Sequence, residues 1–319
     1  MGESAGGGSV LHHVTAYGGR GTSLFKRAIP QSGGFPPIVP ATTAQTLQYV
    51  LGNASVLAKT PITTVAQLRS LPFDILYKVN RNIVGLSPYA GFTFSPVVDT
   101  RDSMVPALPF QMLADGKYHK VDVLVGHNSN EGFFRAPPYV QTETQFVNFV
   151  KSVFPFAKPS VMSDITTKFY PPKFDGSAGY TTQVQRTAIA LGEAGLDCIA
   201  YWLASLVPNA YAYLFTVPNT GNLPAGIHGQ DIAFTFNNGE SSGFLGPVDW
   251  GVAKSLQTYL VNFVMTGKPT GKDLPDFIVY GKNNSVANIG TANLGSQLED
   301  PVAKRRDKCN YWMKADYYP

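Results

Sequence analysis

Gly2-Glu3-Ser4-Ala5-Gly6 is the stretch on which the reading of this chain turns. It has the spacing G-x-S-x-G, in which a serine occupies a tight strand-to-helix turn with strained backbone angles. Small residues two before and two after the serine avoid clashes in that turn. The turn exposes the hydroxyl, and the N-terminus of the following helix favours negative charge beside it. Ser9 to Tyr17 reads as a helix leaving such a turn. A second reading stays open from these residues alone, because Gly6-Gly7-Gly8 also suits a glycine-rich flexible terminus.

Working outward, a serine hydroxyl is a poor nucleophile at neutral pH and needs a base, and an acid to orient that base. In proteins with this turn the chain order is serine, acid, histidine, with the acid in a loop after a strand. Val121 to Val125 is a short Val-rich run that suits a strand buried on both faces of a parallel sheet. Gly126-His127-Asn128-Ser129-Asn130-Glu131-Gly132 follows it, which makes Glu131 the candidate acid; a solvated loop carboxylate is the alternative. Five histidines compete for the base. His12 and His13 are too near Ser4 along the helix, His119 sits in a polar turn, and His127 precedes the acid. His228, in Gly226-Ile227-His228-Gly229-Gln230-Asp231, follows a strand and has flanking glycines that let a loop approach the serine. It reads equally as a surface-loop histidine.

The rest of the chain supplies an α/β pattern. Leu24 to Ile29 and Ala210 to Val217 read as strands. Thr43 to Leu51 and Thr64 to Leu71 read as short helices, each opened by a threonine cap. Thr142 to Phe154 reads as an amphipathic helix with Phe146, Phe149, Val150 and Val153 on one face. Gln183 to Leu206 reads as a longer helix. Trp250 to Thr266 reads as a helix stopped by Gly267, with Pro269 beyond.

Composition narrows the classes. The 319 residues are 44% hydrophobic and 14% charged, enough for a sizeable core, and the formal net charge is +4. Lys and Arg are scattered, the longest basic run being Lys304-Arg305-Arg306, so no nucleic-acid partner is expected. The longest apolar run considered, Ile199 to Val207, is too short to span a bilayer, so no transmembrane segment is expected. Met1-Gly2-Glu3-Ser4 is not a signal peptide. The two cysteines, Cys198 and Cys309, are read equally as buried thiols or a disulfide. Asn53-Ala54-Ser55 and Asn283-Asn284-Ser285 are glycosylation sequons that add a little weight to a secretory setting.

Taken together and in order, these segments resemble the type-B carboxylesterase, lipase and cholinesterase family. The blocks are Gly2 to Gly7, Phe25 to Gly33, Phe94 to Asp99, Gly126 to Gly132, Gly226 to Phe234, Asn262 to Pro269 and Cys309 to Trp312. The resemblance implies an α/β-hydrolase fold and a carboxylic ester hydrolase of the EC 3.1.1 class. It implies Ser4 as nucleophile, His228 as general base then acid, Glu131 as orienting carboxylate, and the Ala5 N–H as an oxyanion donor. Ser32 and Asp231 match positions that support the triad, and Glu3 stands beside it. Cys198 and Cys309 match a family disulfide, and an extracellular destination follows. No metal or organic cofactor is implied, and the expected partner is a small-molecule or lipid ester. Lipase, short-chain esterase and sterol esterase are not separated.

The family has a long segment before the elbow, with the first strands of the sheet and a Gly-Gly loop completing the oxyanion hole. Residues 1–319 are therefore expected to form a partial α/β-hydrolase domain lacking the N-terminal strands, unstable and weakly active alone. Two further readings are a non-catalytic cholinesterase-like interaction protein and a non-functional esterase fragment. Ile83 to Phe94, Phe133, Phe134 and Tyr139 are candidates for the acyl side, with core expected for most of them.

Overall fold

The computed structural model describes all residues except 35–39, 88, 90, 238–247, 282, 299–303, 315–316 and 318–319. In chain order the elements are β1 (Gly2–Glu3), α1 (Ala5–Val14), β2 (Arg27–Ala28), β3 (Pro30–Gln31), α2 (Pro40–Ala58), α3 (Val65–Arg69), α4 (Phe73–Gly85) and α5 (Pro109–Ala114). There follow β4 (Asp122–Asn128), α6 (Glu143–Val153), α7 (Pro159–Ser163), α8 (Gln183–Gly192), α9 (Cys198–Leu206) and β5 (Tyr211–Phe215). The chain then forms α10 (Gln230–Thr235), α11 (Trp250–Thr266), β6 (Ser285–Ile289), β7 (Gly295–Leu298) and α12 (Lys304–Met313).

The strands form one sheet in the order β1-β3-β4-β5-β6-β7, with β2 also on β4. Every pairing is parallel except β6 with β7. β1 has β3 as its one strand partner among the described residues. The central strand β4 is buried from Val123 to Asn128, as its Val-rich run demands: only a strand covered on both faces tolerates consecutive apolar residues. Its side chains divide by the period of two. Val123 and Val125 enter a core with Leu11, Trp202, Leu203 and Trp312. Leu124 enters the other with Tyr213, Phe215, Leu256, Tyr259 and Phe263. Each fully buried aliphatic or aromatic side chain here contributes about 1.5–3 kcal/mol relative to exposure.

Local chemistry explains several boundaries. Thr64 and Thr142 form capping boxes with Gln67 and Gln145, opening α3 and α6. Gly267, at φ 82°, ends α11 in the left-handed conformation that glycine adopts without strain. Phe146, Phe149 and Val150 of α6 are buried as its periodicity requires.

Some expectations are corrected. The helix after the elbow starts at Ala5, not Ser9, and ends at Val14; its first turn is Ala-Gly-Gly-Gly, whose low propensity conceals a helix fixed by tertiary contacts. Of the strand expected at Leu24 to Ile29, Arg27–Ala28 forms β2, a second short strand β3 follows at Pro30–Gln31, and Leu24 is 99% exposed. Thr43 does not cap α2, which begins at Pro40. Gln183 to Leu206 is interrupted by a π-helical turn, Glu193–Asp197, between α8 and α9. This stretch is the one helix among the described residues long and apolar enough to cross a bilayer, and its apolar window is 72% buried within the protein. The core expected around Ile83 to Phe94, Phe134 and Tyr139 is corrected too: Val84, Leu86, Tyr89, Phe92, Phe94, Phe134 and Tyr139 are exposed. Helix α4 turns the face carrying Ile75, Val79 and Ile83 onto α2, leaving Phe73, Tyr77 and Val84 outside. Residues 88 and 90 of that stretch lie outside the described residues.

Cys198 and Cys309 are joined by a disulfide, with Cα atoms 4.9 Å apart and a sequence separation of 111. It fastens α12 onto α9, and the Trp202 indole N–H donates to the Cys309 carbonyl beside it.

Candidate active site

Parallel strands end on the same side, and the loops after them converge at one edge of the sheet. Ser4 follows β1, Ser32 follows β3, Glu131 follows β4, and His228 lies in the loop after β5. Ser4 sits between β1 and α1 at φ 56°, ψ −119°, a conformation that strains a side-chain-bearing residue. Backbone bonds hold it: Gly2 N–H to Ile29 O, Ser4 N–H to Gln31 O, and both Gly34 N–H and Gly8 N–H to Ser4 O, at 2.9–3.1 Å. A Cβ at Gly2 would come within 2.5 Å of the Gly6 carbonyl, and one at Gly7 within 2.6 Å of Gly33. The turn itself requires Gly2, and the close approach of α1 to the segment after β3 requires Gly7, whereas a Cβ at Gly6 meets nothing within 4 Å, so the clash expected two residues after the serine does not arise.

His228 bridges the other two groups. Its Nε2 is 2.7 Å from Ser4 Oγ and its Nδ1 is 2.6 Å from Glu131 Oε2. The other Glu131 oxygen accepts hydrogen bonds from Ser32 Oγ and from the Asn128 N–H, both at 2.6 Å. Glu131 is almost completely buried, whereas the His228 side chain keeps a partly open face. Glu3 Oε1 stands 3.4 Å from His228 Nε2. The Ala5 N–H lies in the first turn of α1, where backbone donors have no intrahelical acceptor.

The electrostatics follow from burial and neighbouring charge. Burial works to lower the His228 pKa, but the hydrogen bond and charge of Glu131, with the charges of Glu3 and Asp231, outweigh it and raise it. Burial raises the Glu3 carboxyl to about 7, against the opposing pull of His228. Burial likewise raises Asp231, against its hydrogen bonds from Tyr213 and Asn128.

Ser4, Glu131, His228, Ser32, Glu3 and Ala5 therefore come together. Asp231 lies one layer below. It accepts from Tyr213 Oη at 2.6 Å and from the side chains of Asn128 and Gln31 at 3.3 Å, with no direct bond to the three residues above it. Of the other histidines, His12 is buried in α1, its imidazole lowered to about 4 by burial and by His13. His127 is buried within β4, and His119 is buried where a polar turn was expected.

Sequence reading missed the residues that fix the histidine loop. Asn128 Nδ2 donates to Ile227 O, Ser129 Oγ and Asn130 Nδ2 to Ala225 O, and the Asn130 N–H to Gly226 O, at 2.7–3.0 Å. The acid loop thus clamps the histidine loop directly. The run Asn128-Ser129-Asn130 carried a signal, since polar residues at the end of a buried strand need partners.

Comparison with known proteins bears on the family and the fold. The Carboxylesterase family matches residues 1–312. The chain is 31% identical to carboxylesterase patB of Aspergillus clavatus, over 99% of this chain and 54% of that protein. It is 27% identical to the secreted triacylglycerol lipase LIP1 of Gibberella zeae, over 84% of this chain and 48% of that protein. The chain spans about half the length of the curated relatives it matches. Among solved structures it is similar to Aspergillus niger EstA, with a TM-score of 0.78 and 21% identity, covering 98% of this chain and 63% of that one. At that identity the likeness bears on the fold, an α/β-hydrolase with a mainly parallel sheet.

Proposed function

The chain belongs to the carboxylesterase family, and we propose that it cleaves carboxylic esters by acyl transfer through Ser4, His228 and Glu131. The observation that carries this reading is the unbroken hydrogen-bond line Ser4 Oγ–His228–Glu131, at 2.7 and 2.6 Å, drawn from loops after three different strands. Ser4 Oγ attacks the ester carbonyl carbon while His228 Nε2 takes its proton. The oxyanion forms beside the Ala5 N–H, a donor of a kind whose loss costs about 10²–10³ in rate. His228 then passes the proton to the departing alkoxide, leaving an acyl group on Ser4 Oγ. Water enters, His228 takes its proton, and the acid is released as Ser4 regains its hydrogen. Glu131, held by Ser32 and the Asn128 N–H, keeps the imidazole oriented and balances the imidazolium.

The substrate class is a small-molecule or lipid ester, in keeping with the carboxylesterase and lipase names of its relatives. An extracellular setting is part of the proposal. It is supported by relatives named as secreted lipases and by the Cys198–Cys309 disulfide. Residues 1–319 are read as belonging to one α/β-hydrolase domain.

The test is covalent labelling with a fluorophosphonate, followed by intact mass and peptide mapping. A stoichiometric adduct on Ser4, absent from Ser4→Ala, is expected. A protein with native near-UV circular dichroism that takes no adduct at Ser4 would overturn the proposal.

A further inference from the structure

Four residues past Glu131 stands Arg135, which the mechanism above does not use. It closes the short 3₁₀ turn Phe133–Arg135, its N–H donating to the Gly132 carbonyl at 2.9 Å. The residue is half-buried and its Nε is wholly out of solvent. Its guanidinium lies along Gly195 in the π-helical turn, so close that a Cβ there would come within 2.1 Å of Nη1. The Gly195 carbonyl in turn packs on Gly34, 3.4 Å from where a Cβ of Gly34 would stand, and the Gly34 N–H is bonded to the Ser4 carbonyl. A continuous line of contacts thus joins Arg135 to the serine.

The contrast with Arg186 is informative. Arg186 is wholly buried and fully partnered: Glu143, the carbonyls of Tyr170 and Thr166, and the Phe146 ring surround it. Arg135 has no hydrogen-bond acceptor or ion-pair partner among the described residues. Glu131 is the nearby negative charge that acts on it, while burial works to lower its pKa. A guanidinium stays protonated under ordinary conditions. A charged donor atom such as Nε, withdrawn from water without an acceptor, is unfavourable unless something supplies one. Phe133 and Phe134 precede it in the same turn, with rings 5.2 Å apart. The donors form a rigid fork that suits a carboxylate held through two parallel hydrogen bonds.

We infer that Arg135 is a specificity-determining residue that receives a carboxylate carried by the ester substrate. This rests on the ester-cleavage reading and goes beyond it by naming the substrate's charge. Two pairs of esters test it, each with a charged and a neutral member. Monomethyl adipate against dimethyl adipate places the carboxylate on the acyl side. 4-Acetoxybutanoate against butyl acetate places it on the alcohol side. In one series the charged-to-neutral ratio of kcat/KM is expected to fall about 10- to 100-fold in Arg135→Leu, the span of a lost charge-assisted bond. The loss appears in KM, the neutral ester is little affected, and Arg135→Lys retains part of the preference. An unchanged ratio in both series overturns the inference. So does an equal slowing of charged and neutral esters with a displaced pH profile, which assigns Arg135 to holding Glu131 alone. If the wild type cleaves none of these esters and takes no fluorophosphonate, the ester-cleavage reading fails separately. Adipate binding by calorimetry then decides for Arg135: binding kept in Ser4→Ala and lost in folded Arg135→Leu supports it, and equal or absent binding overturns it.

Discussion

The sheet and the α2–α4 excursion both enclose apolar side chains, but they do so to different depths. On the sheet, strands β4, β5 and β6 share two continuous cores, and polar groups at the strand ends are tied to one another. Among the described residues of the excursion only Ala54, Ile62 and Val79 are buried, while Phe73 and Leu86 are each 81% exposed. Apolar composition is thus similar in kind, and the number of faces covered differs. A strand between two helical layers loses water from both sides. A helix packed on one neighbour loses it along one stripe. The site stands on the first kind of structure, so its geometry inherits the more cooperative half of the molecule.

The largest expected effect that tests this contrast is at the site itself. His228→Ala should lower kcat by about 10⁴-fold or more while leaving the denaturation midpoint nearly unchanged; a matching collapse of stability would show that the loop holds up the sheet rather than the reverse. Next in size, Leu124→Ala should cost about 2–5 kcal/mol in urea unfolding, whereas Val79→Ala in the excursion should cost about 1–2 kcal/mol. Equal costs would erase the distinction. Opening the disulfide with Cys198→Ser and Cys309→Ser should remove about 2–4 kcal/mol from the sheet side, and amide exchange should speed in α9 and α12 but not in α2 and α4.

The smallest effect is in pH. His228 accepts a proton only when neutral, and its pKa is raised, so the acid limb of kcat/KM should lie above 6.5. Glu3→Gln removes one of the charges that raise it and should move the limb towards lower pH. The folded state also holds the Glu3 proton more tightly than the unfolded chain, with a pKa raised from 4.5 to about 7. Stability from this group is therefore present below pH 4.5 and lost as pH rises through about 7. Glu3→Gln should flatten that decline, and melting temperatures across the interval measure it.

What the sequence made legible tracks the same division. Ser4 could be read from its short local pattern, whereas Glu131 and His228 were candidates by chain order that the family resemblance chose over a loop carboxylate and a surface histidine. Ser32, Glu3, Asp231 and the cysteine pair came from the family resemblance. The strand Asp122–Asn128 was visible in its Val-rich start, but its extension through His127 and Asn128 was not, because polar residues there resemble a loop until their partners are known. Gln31 and Tyr213 were silent for the same reason: their bond joins positions 182 residues apart. Leu86 and Phe92 misled in the opposite direction, since hydrophobicity names residues that can be buried and not those that find a neighbour.

The clamp between the acid loop and the histidine loop bears on how this scaffold can change. The segment between Val217 and Gly226 is closed at its base by the Gly226 N–H bonded to Val217 O at 3.1 Å. The imidazole is therefore located by contacts at the root of the segment, and its length is left free. Doubling such a loop costs only about 0.6 kcal/mol. Evolution or an engineer can accordingly insert residues at the exposed stretch around Thr220–Asn222, rebuilding the entrance to the site while the histidine keeps its place.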